Sequence, residues 1–307
     1  MGRTIWTDVP TAVRREIELL LGAPIVEATS QASGWSPGSA DRIITANGSR
    51  AFVKTLSRAH NADGHALHQR EATVMAALPD HVRAPQLIGA VDVVVDGADW
   101  TALVLEDVAG RHPAGDKDTT AVLDTLDTLP LAYGALAALP RAAVDLQDEF
   151  GAWSRMLATG LPDVIPERVR VRATELAEAE QDATSGLDGE HVVHLDCRAD
   201  NLLVDHQGTV WIIDWPWAAV GAHWIDALTY LLDALVRREN INADHHLATH
   251  PIFAGTVPST IDTVLAALAG TFFENAAKPS PPGMPTIRDF QRREGIAAAD
   301  WFLRRGT

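Results

Sequence analysis

The chain has 307 residues, 47% of them apolar and 21% charged, a balance that supports a packed core and excludes general disorder. Its net charge of −16 disfavours nucleic acid and anionic membranes as partners, and favours either cationic ligands or simple solubility. No run approaches the ~18 consecutive apolar residues of a membrane span, Met1 to Trp6 carries no apolar leader core, and the lone Cys197 excludes an internal disulfide or a multi-cysteine metal site. A soluble, cytoplasmic protein is the expectation.

In chain order, Val13, Ile17, Leu20 and Leu21 recur at helical spacing and predict an opening helix over Pro10 to Leu21. Short β-like runs follow at Ile25 to Ala28 and Arg42 to Thr45. Asn47-Gly48 then marks a hairpin turn, because both residues tolerate positive φ, and Ala51 to Leu56 is the return strand. A helix over Ala62 to Leu78 is closed by Pro79. Two more strands, Gln86 to Val95 and Trp100 to Leu105, flank the turn Asp96-Gly97. Gly110 to Asp116 reads as a connector. Beyond it the chain is Ala-rich and helical over 118–183 and 223–306, with one β-rich insert at His191 to Trp215.

That insert carries the chemistry. An apolar strand delivers His194, Asp196 and Asn201 into a loop, and a turn at Gly208 leads to a second apolar strand that ends on Asp214. Phosphoryl transfer needs a carboxylate to orient or accept a hydroxyl proton, and hard oxygen ligands for Mg²⁺ at the phosphates. Asp196 suits the first task, Asn201 and Asp214 the second. An ordinary hairpin with polar turn residues is the competing reading, and the second strand ending on Asp argues against it.

The pattern His194-Leu195-Asp196 to Asn201, followed by Ile213-Asp214, resembles the catalytic loop and metal motif of the aminoglycoside phosphotransferase family. That family usually reads His-Gly-Asp, so Leu195 stands where it has Gly, and Ala199-Asp200 precede Asn201 in place of its Pro-Gly or similar pair. The resemblance implies a two-lobed protein-kinase-like fold of α/β (α+β) class. A small antiparallel-sheet lobe would span 1–106, a hinge and connector 107–117, and a larger helical lobe 118–307. It places Lys54 on the phosphates of ATP or GTP and Glu71 as the partner of Lys54. The loop containing Ser33 and Gly34 would lie over the phosphates, with main-chain groups of Glu106 and Val108 on the purine edge. Asp196 is the implied base, Asn201 and Asp214 the implied Mg²⁺ ligands.

Asp226, in Gly221 to Ala227, is expected to order the loop by hydrogen bonding, with a helix N-cap as the competing role. His194 is expected to be structural. Trp215 and Trp217 are candidates to line the acceptor site, against the commoner fate of core packing. The implied activity is transfer of a γ-phosphoryl group to a hydroxyl of a small molecule, an aminoglycoside or another hydroxylated antibiotic. A kinase of a sugar or amino alcohol, and a non-catalytic nucleotide-binding pseudokinase, are the alternatives.

Overall fold

The computed structural model describes residues 4–31, 38–281 and 284–306. In chain order the elements are α1 (Thr11–Leu21), β1 (Ile25–Ser30), β2 (Ser39–Thr45), β3 (Arg50–Ser57), α2 (Ala62–Ala77), β4 (Leu87–Val95) and β5 (Ala98–Glu106). Then come α3 (Gly115–Leu126), α4 (Ala142–Asp145), α5 (Ala152–Thr159), α6 (Glu167–Arg170) and α7 (Ala173–Ala179). Four short strands follow: β6 (His191–Val193), β7 (Leu202–Val204), β8 (Val210–Ile212) and β9 (Ala219–Gly221). The chain ends with α8 (Ile225–Val236), α9 (Ala243–Thr249), α10 (Pro258–Ala276) and α11 (Ile287–Arg305). No helix among the described residues is long and apolar enough to cross a membrane.

Two compact units emerge. One joins residues 1–112 to 200–217; the other joins 113–199 to 218–307. The first contains a five-stranded antiparallel sheet in the order β1-β2-β3-β5-β4. Its turns have the chemistry the sequence announced. Asp96 and Gly97 both have positive φ, 52° and 79°, as a two-residue hairpin with the twist of its strands requires. At the other hairpin Gly48 donates to Thr45 at 2.9 Å.

Side chains of β3 alternate between the two faces of the sheet. Ala51 and Val53 join Ile43, Ala102 and Val104 on one face, where Val13 and Ile17 of α1 close a core with Trp6 and Val9. Lys54, of opposite parity, points to the face that α2 covers. α2 is capped by Asn61, whose side chain accepts from the Gly64 N–H at 2.6 Å. Its buried stripe is His65, His68, Glu71, Val74 and Met75, three-to-four spacing along one helix face. Polar groups thus occupy positions that a core helix ordinarily gives to aliphatic side chains.

Residues 200–217 group with the sheet, whereas the expected lobe boundary put them in the helical half. The β7–β8 hairpin bonds to segments of that unit: Arg111 N–H to the Val204 carbonyl at 3.1 Å, and Ile212 N–H to the Arg83 carbonyl at 2.7 Å. Gly110 permits the approach, since a Cβ there would meet the Val204 carbonyl oxygen at 2.9 Å.

The second unit is helical around α8, which is buried on nearly every side. α10 and α11 pack against each other and carry two close approaches, Gly270 against the Trp153 indole and Gly295 against the Phe273 ring. Trp153 itself is buried, donates Nε1–H to the Ala266 carbonyl at 2.8 Å, and meets Phe273 edge-on with centroids 5.8 Å apart. β6 and β9 form a small antiparallel pair that delivers the chain into the 194–201 loop.

Candidate active site

In the sheet-containing unit, the site is built on a strand, a helix and a hairpin end. Lys54 lies mid-β3, opposite Ala40 of β2 and Leu103 of β5. Its Nζ donates to Glu71 Oε1 at 2.7 Å and Oε2 at 2.8 Å, and to Asp214 Oδ1 at 2.8 Å. Side-chain exposure is 13% for Lys54, 1% for Glu71 and 45% for Asp214. Burial pulls the Lys54 pKa down, but the charges of Asp214 and then Glu71 outweigh it and hold the ammonium well above its ordinary value. Lys54 is therefore a fixed cation. Glu71 also accepts the Trp215 backbone N–H at 3.3 Å, so the strand, the helix and the segment after β8 meet on one carboxylate.

Asp214 follows β8 with φ of 67°, a left-handed conformation rare for a residue with a Cβ. Asn201 begins the same hairpin. Leu202 pairs with Ile212, and the Ile213 N–H donates to the Asn201 carbonyl at 2.9 Å, which holds Asn201 and Asp214 at one end of the β7–β8 ladder. His68, one turn before Glu71, is buried; desolvation first, and the Lys54 charge second, push its pKa down to about 3. Its imidazole is neutral near pH 7.

The segment after β5 is rigidly tied. The Glu106 N–H donates to the Gln86 carbonyl at 2.9 Å, and Arg42 Nη2 donates to the Val108 carbonyl at 3.0 Å. Asp107, buried between them, pairs with Arg42 at 3.0 Å and Arg50 at 2.8 Å. Ser33 and Gly34 lie outside the described residues.

In the helical unit, Asp226 at the start of α8 is fully buried and accepts the backbone N–H groups of His194 at 2.6 Å and Leu195 at 2.9 Å. Burial raises its pKa, while the His194 charge and these two N–H donors oppose the rise. Asp233, two helical turns on, accepts the Ala199 N–H at 3.0 Å, and Arg237 braces it at 2.8 Å. The loop bearing Asp196 is thus gripped by its main chain at both ends. His194 is buried and accepts the Asp196 N–H on Nδ1 at 3.3 Å. Leu195 has φ of 60°, the geometry that favours Gly at this place. The Arg198 guanidinium donates to Asp196 Oδ1.

The two tryptophans separate. Trp215 is fully buried with its indole N–H on the Ile212 carbonyl at 2.9 Å; it packs in the core and leaves no ring face for a ligand, against the expectation that it lines an acceptor site. Trp217 is 46% exposed. Sequence reasoning passed over His68, Arg198 and Asp233. The available signals were positional: Arg198 two residues after Asp196, Asp233 seven after Asp226, and His68 three before Glu71.

A family model described as "Phosphotransferase enzyme family" matches residues 29–259. No curated protein matches the chain in sequence. Among solved structures, the fold is similar to a thermostable mutant of aminoglycoside phosphotransferase APH(4)-Ia in complex with ADP and hygromycin B (14% identity, 97% of this chain and 99% of that one, TM-score 0.57). It is similar to spectinomycin phosphotransferase APH(9)-Ia with ADP and spectinomycin (10% identity, 94% and 98% covered, TM-score 0.60). It also resembles choline kinase LicA from Streptococcus pneumoniae (15% identity, 96% and 97% covered, TM-score 0.56).

Proposed function

Because the chain belongs to the phosphotransferase enzyme family, we propose that it moves the γ-phosphoryl group of ATP or GTP onto a hydroxyl of a small molecule. The observation that carries this reading is Lys54 Nζ shared between Glu71 and Asp214. A fixed ammonium beside a half-exposed carboxylate suits a site where negative phosphates and a divalent cation meet.

Lys54 contacts the phosphates, and Glu71 keeps Lys54 extended across the site. The Asp214 carboxylate and the Asn201 amide oxygen are hard donors of the kind Mg²⁺ prefers. Among the described residues no group of three or more His, Cys, Asp or Glu is arranged to hold a metal, so these two would share the cation with the nucleotide's own oxygens. When bound, the cation neutralises charge on the transferring phosphoryl group. Since the Glu106 N–H and the Val108 carbonyl are already engaged, the purine edge is read by the Glu106 carbonyl and the Val108 N–H.

Asp196 orients the acceptor hydroxyl and takes its proton; Asp226 and His194 hold the loop that carries it. Trp217 offers an exposed ring to the acceptor. The net charge of −16 favours a cationic, hydroxylated acceptor, such as an aminoglycoside-type antibiotic, ahead of a neutral sugar. The cytoplasm, with its nucleoside triphosphates and Mg²⁺, is the setting this chemistry needs.

The test is a screen of nucleotide consumption with ATP and GTP, with and without Mg²⁺, across hygromycin B, spectinomycin, a macrolide, choline and simple sugars. Mass spectrometry should show one acceptor gaining a phosphoryl group only when Mg²⁺ is present. A chain that binds nucleotide but modifies nothing in the panel would be a pseudokinase.

A further inference from the structure

The carboxylate assigned as the base has a companion that this role does not require. Two residues on, Arg198 Nη1 donates to Asp196 Oδ1. The Arg198 guanidinium lies over the ring of Phe290, 5.8 Å from its centroid. Phe290 is the fourth residue of α11, and Arg293, one turn later, stands 5.5 Å from the same ring centroid. Side-chain exposure is 18% for Arg198 and 26% for Asp196, so the pair is mostly screened from water.

This arrangement differs from a surface ion pair, where two long side chains must be ordered for little return. The Arg198 backbone is already held: Cys197 beside it is buried, and the Ala199 N–H is fixed by Asp233 at 3.0 Å. The cation–π contact with Phe290 helps to order the guanidinium before it meets the carboxylate. An Asp side chain by itself has a broad second torsion, and a base must keep its oxygen aligned with the proton it accepts. With Oδ1 held by Arg198, the plane of the Asp196 carboxylate is set, and with it the direction of Oδ2.

We propose that Arg198 is a positioning residue for Asp196, and that Phe290 holds Arg198 in place, so that the last helix of the chain sets the pose of the base. The proposal rests on Asp196 being that base. α11 is anchored on α10 and α8, and α8 carries the Asp226 and Asp233 grips, so one helical framework fixes both the main chain and the side chain of the reactive residue.

The experiment uses the full-length protein with the panel acceptor of highest wild-type turnover. Arg198→Met, which keeps the stem, and Phe290→Leu, which leaves every charge in place, should each lower kcat by about 10- to 100-fold, the scale of a small misalignment. KM for the nucleotide should stay within about two-fold. Arg198→Lys should recover part of the loss and Phe290→Tyr nearly all of it. Crystal structures of wild type and Phe290→Leu give a readout independent of turnover: Arg198 should leave Asp196 in the variant, and the carboxylate should rotate. Variants that lose only thermal stability while kcat holds, or an Asp196 pose unchanged in Phe290→Leu, overturn the proposal. A wild type silent on every acceptor sinks the phosphotransferase reading instead, and the crystallographic arm still decides the clamp.

Discussion

The backbone N–H of Trp215 and the ammonium of Lys54 converge on one atom, Glu71 Oε1, at 3.3 and 2.7 Å. Glu71 is therefore a structural junction as well as a partner for Lys54. Lys54→Met leaves a buried carboxylate without its cation, which costs about 3–5 kcal/mol, so the variant should lose both turnover and melting temperature. Glu71→Gln in the same chain should restore much of the melting temperature and none of the turnover. Calorimetry beside a phosphorylation assay separates the two effects. Equal stability of Lys54→Met and wild type would show the pair to be energetically idle.

Asp196 and Asp200 lie four residues apart in one loop and provide an internal comparison. Asp196→Asn should leave nucleotide affinity within a few-fold and cut acceptor phosphorylation by about two or more orders of magnitude, the scale of losing a positioned base. Asp200→Asn should keep most activity. Titration calorimetry with nucleotide and steady-state rates with acceptor are the measurements. Matching losses in both variants would remove Asp196 from its role.

Leu195 holds φ of 60°, a conformation that strains a side-chain-bearing residue by about 1–2 kcal/mol. Leu195→Gly relieves that strain and should keep or raise the melting temperature, by about 2–4 °C for each kcal/mol gained. Leu195→Val, branched at Cβ, should lower it. Both variants keep the Asp226 bond to the residue-195 N–H, so activity should survive in each. A Gly variant less stable than the Val variant contradicts the account.

His68 faces Lys54, Asp214 and His65 and is held neutral, with its pKa near about 3 against an ordinary 6.5. The unfolded chain therefore takes up a proton below pH 6.5 that the folded chain refuses. Stability contributed by the neutral ring is complete above pH 6.5 and is lost as the pH falls toward 3, at up to about 1.4 kcal/mol per pH unit. His68→Gln lacks this term, so its stability relative to wild type should improve steadily as pH drops below 6.5. Urea melts at a series of pH values test it; parallel curves for the two proteins would refute it.

Features governed by local chemistry were legible in the sequence. Asn47-Gly48 and Asp96-Gly97 name their own turns, and Pro79 closes α2 within one residue of the expected end. Four of the five strands of the sheet were read shorter than they are, and β4 one residue longer. β2 begins at Ser39 rather than Arg42, because its first residues are small and polar and only cross-strand pairing shows them to be extended. The grouping of 200–217 with the sheet was hidden for the same reason: a hairpin's partners outside its own segment leave no periodic trace. Trp215 and Trp217 alternate around Pro216 with equal claims to burial, and only the fold sends one inward. α2 concealed its inner face, since His65, His68 and Glu71 occupy the core stripe.

Asp226 and Asp233 hold the 194–201 loop through the backbone N–H groups of residues 194, 195 and 199. The side chains at 195 and 199 can then vary in type while the main chain of the loop stays held. Position 195, which Asp226 holds by its N–H, should accordingly accept more substitutions than positions 226 and 233, whose carboxylates do the holding.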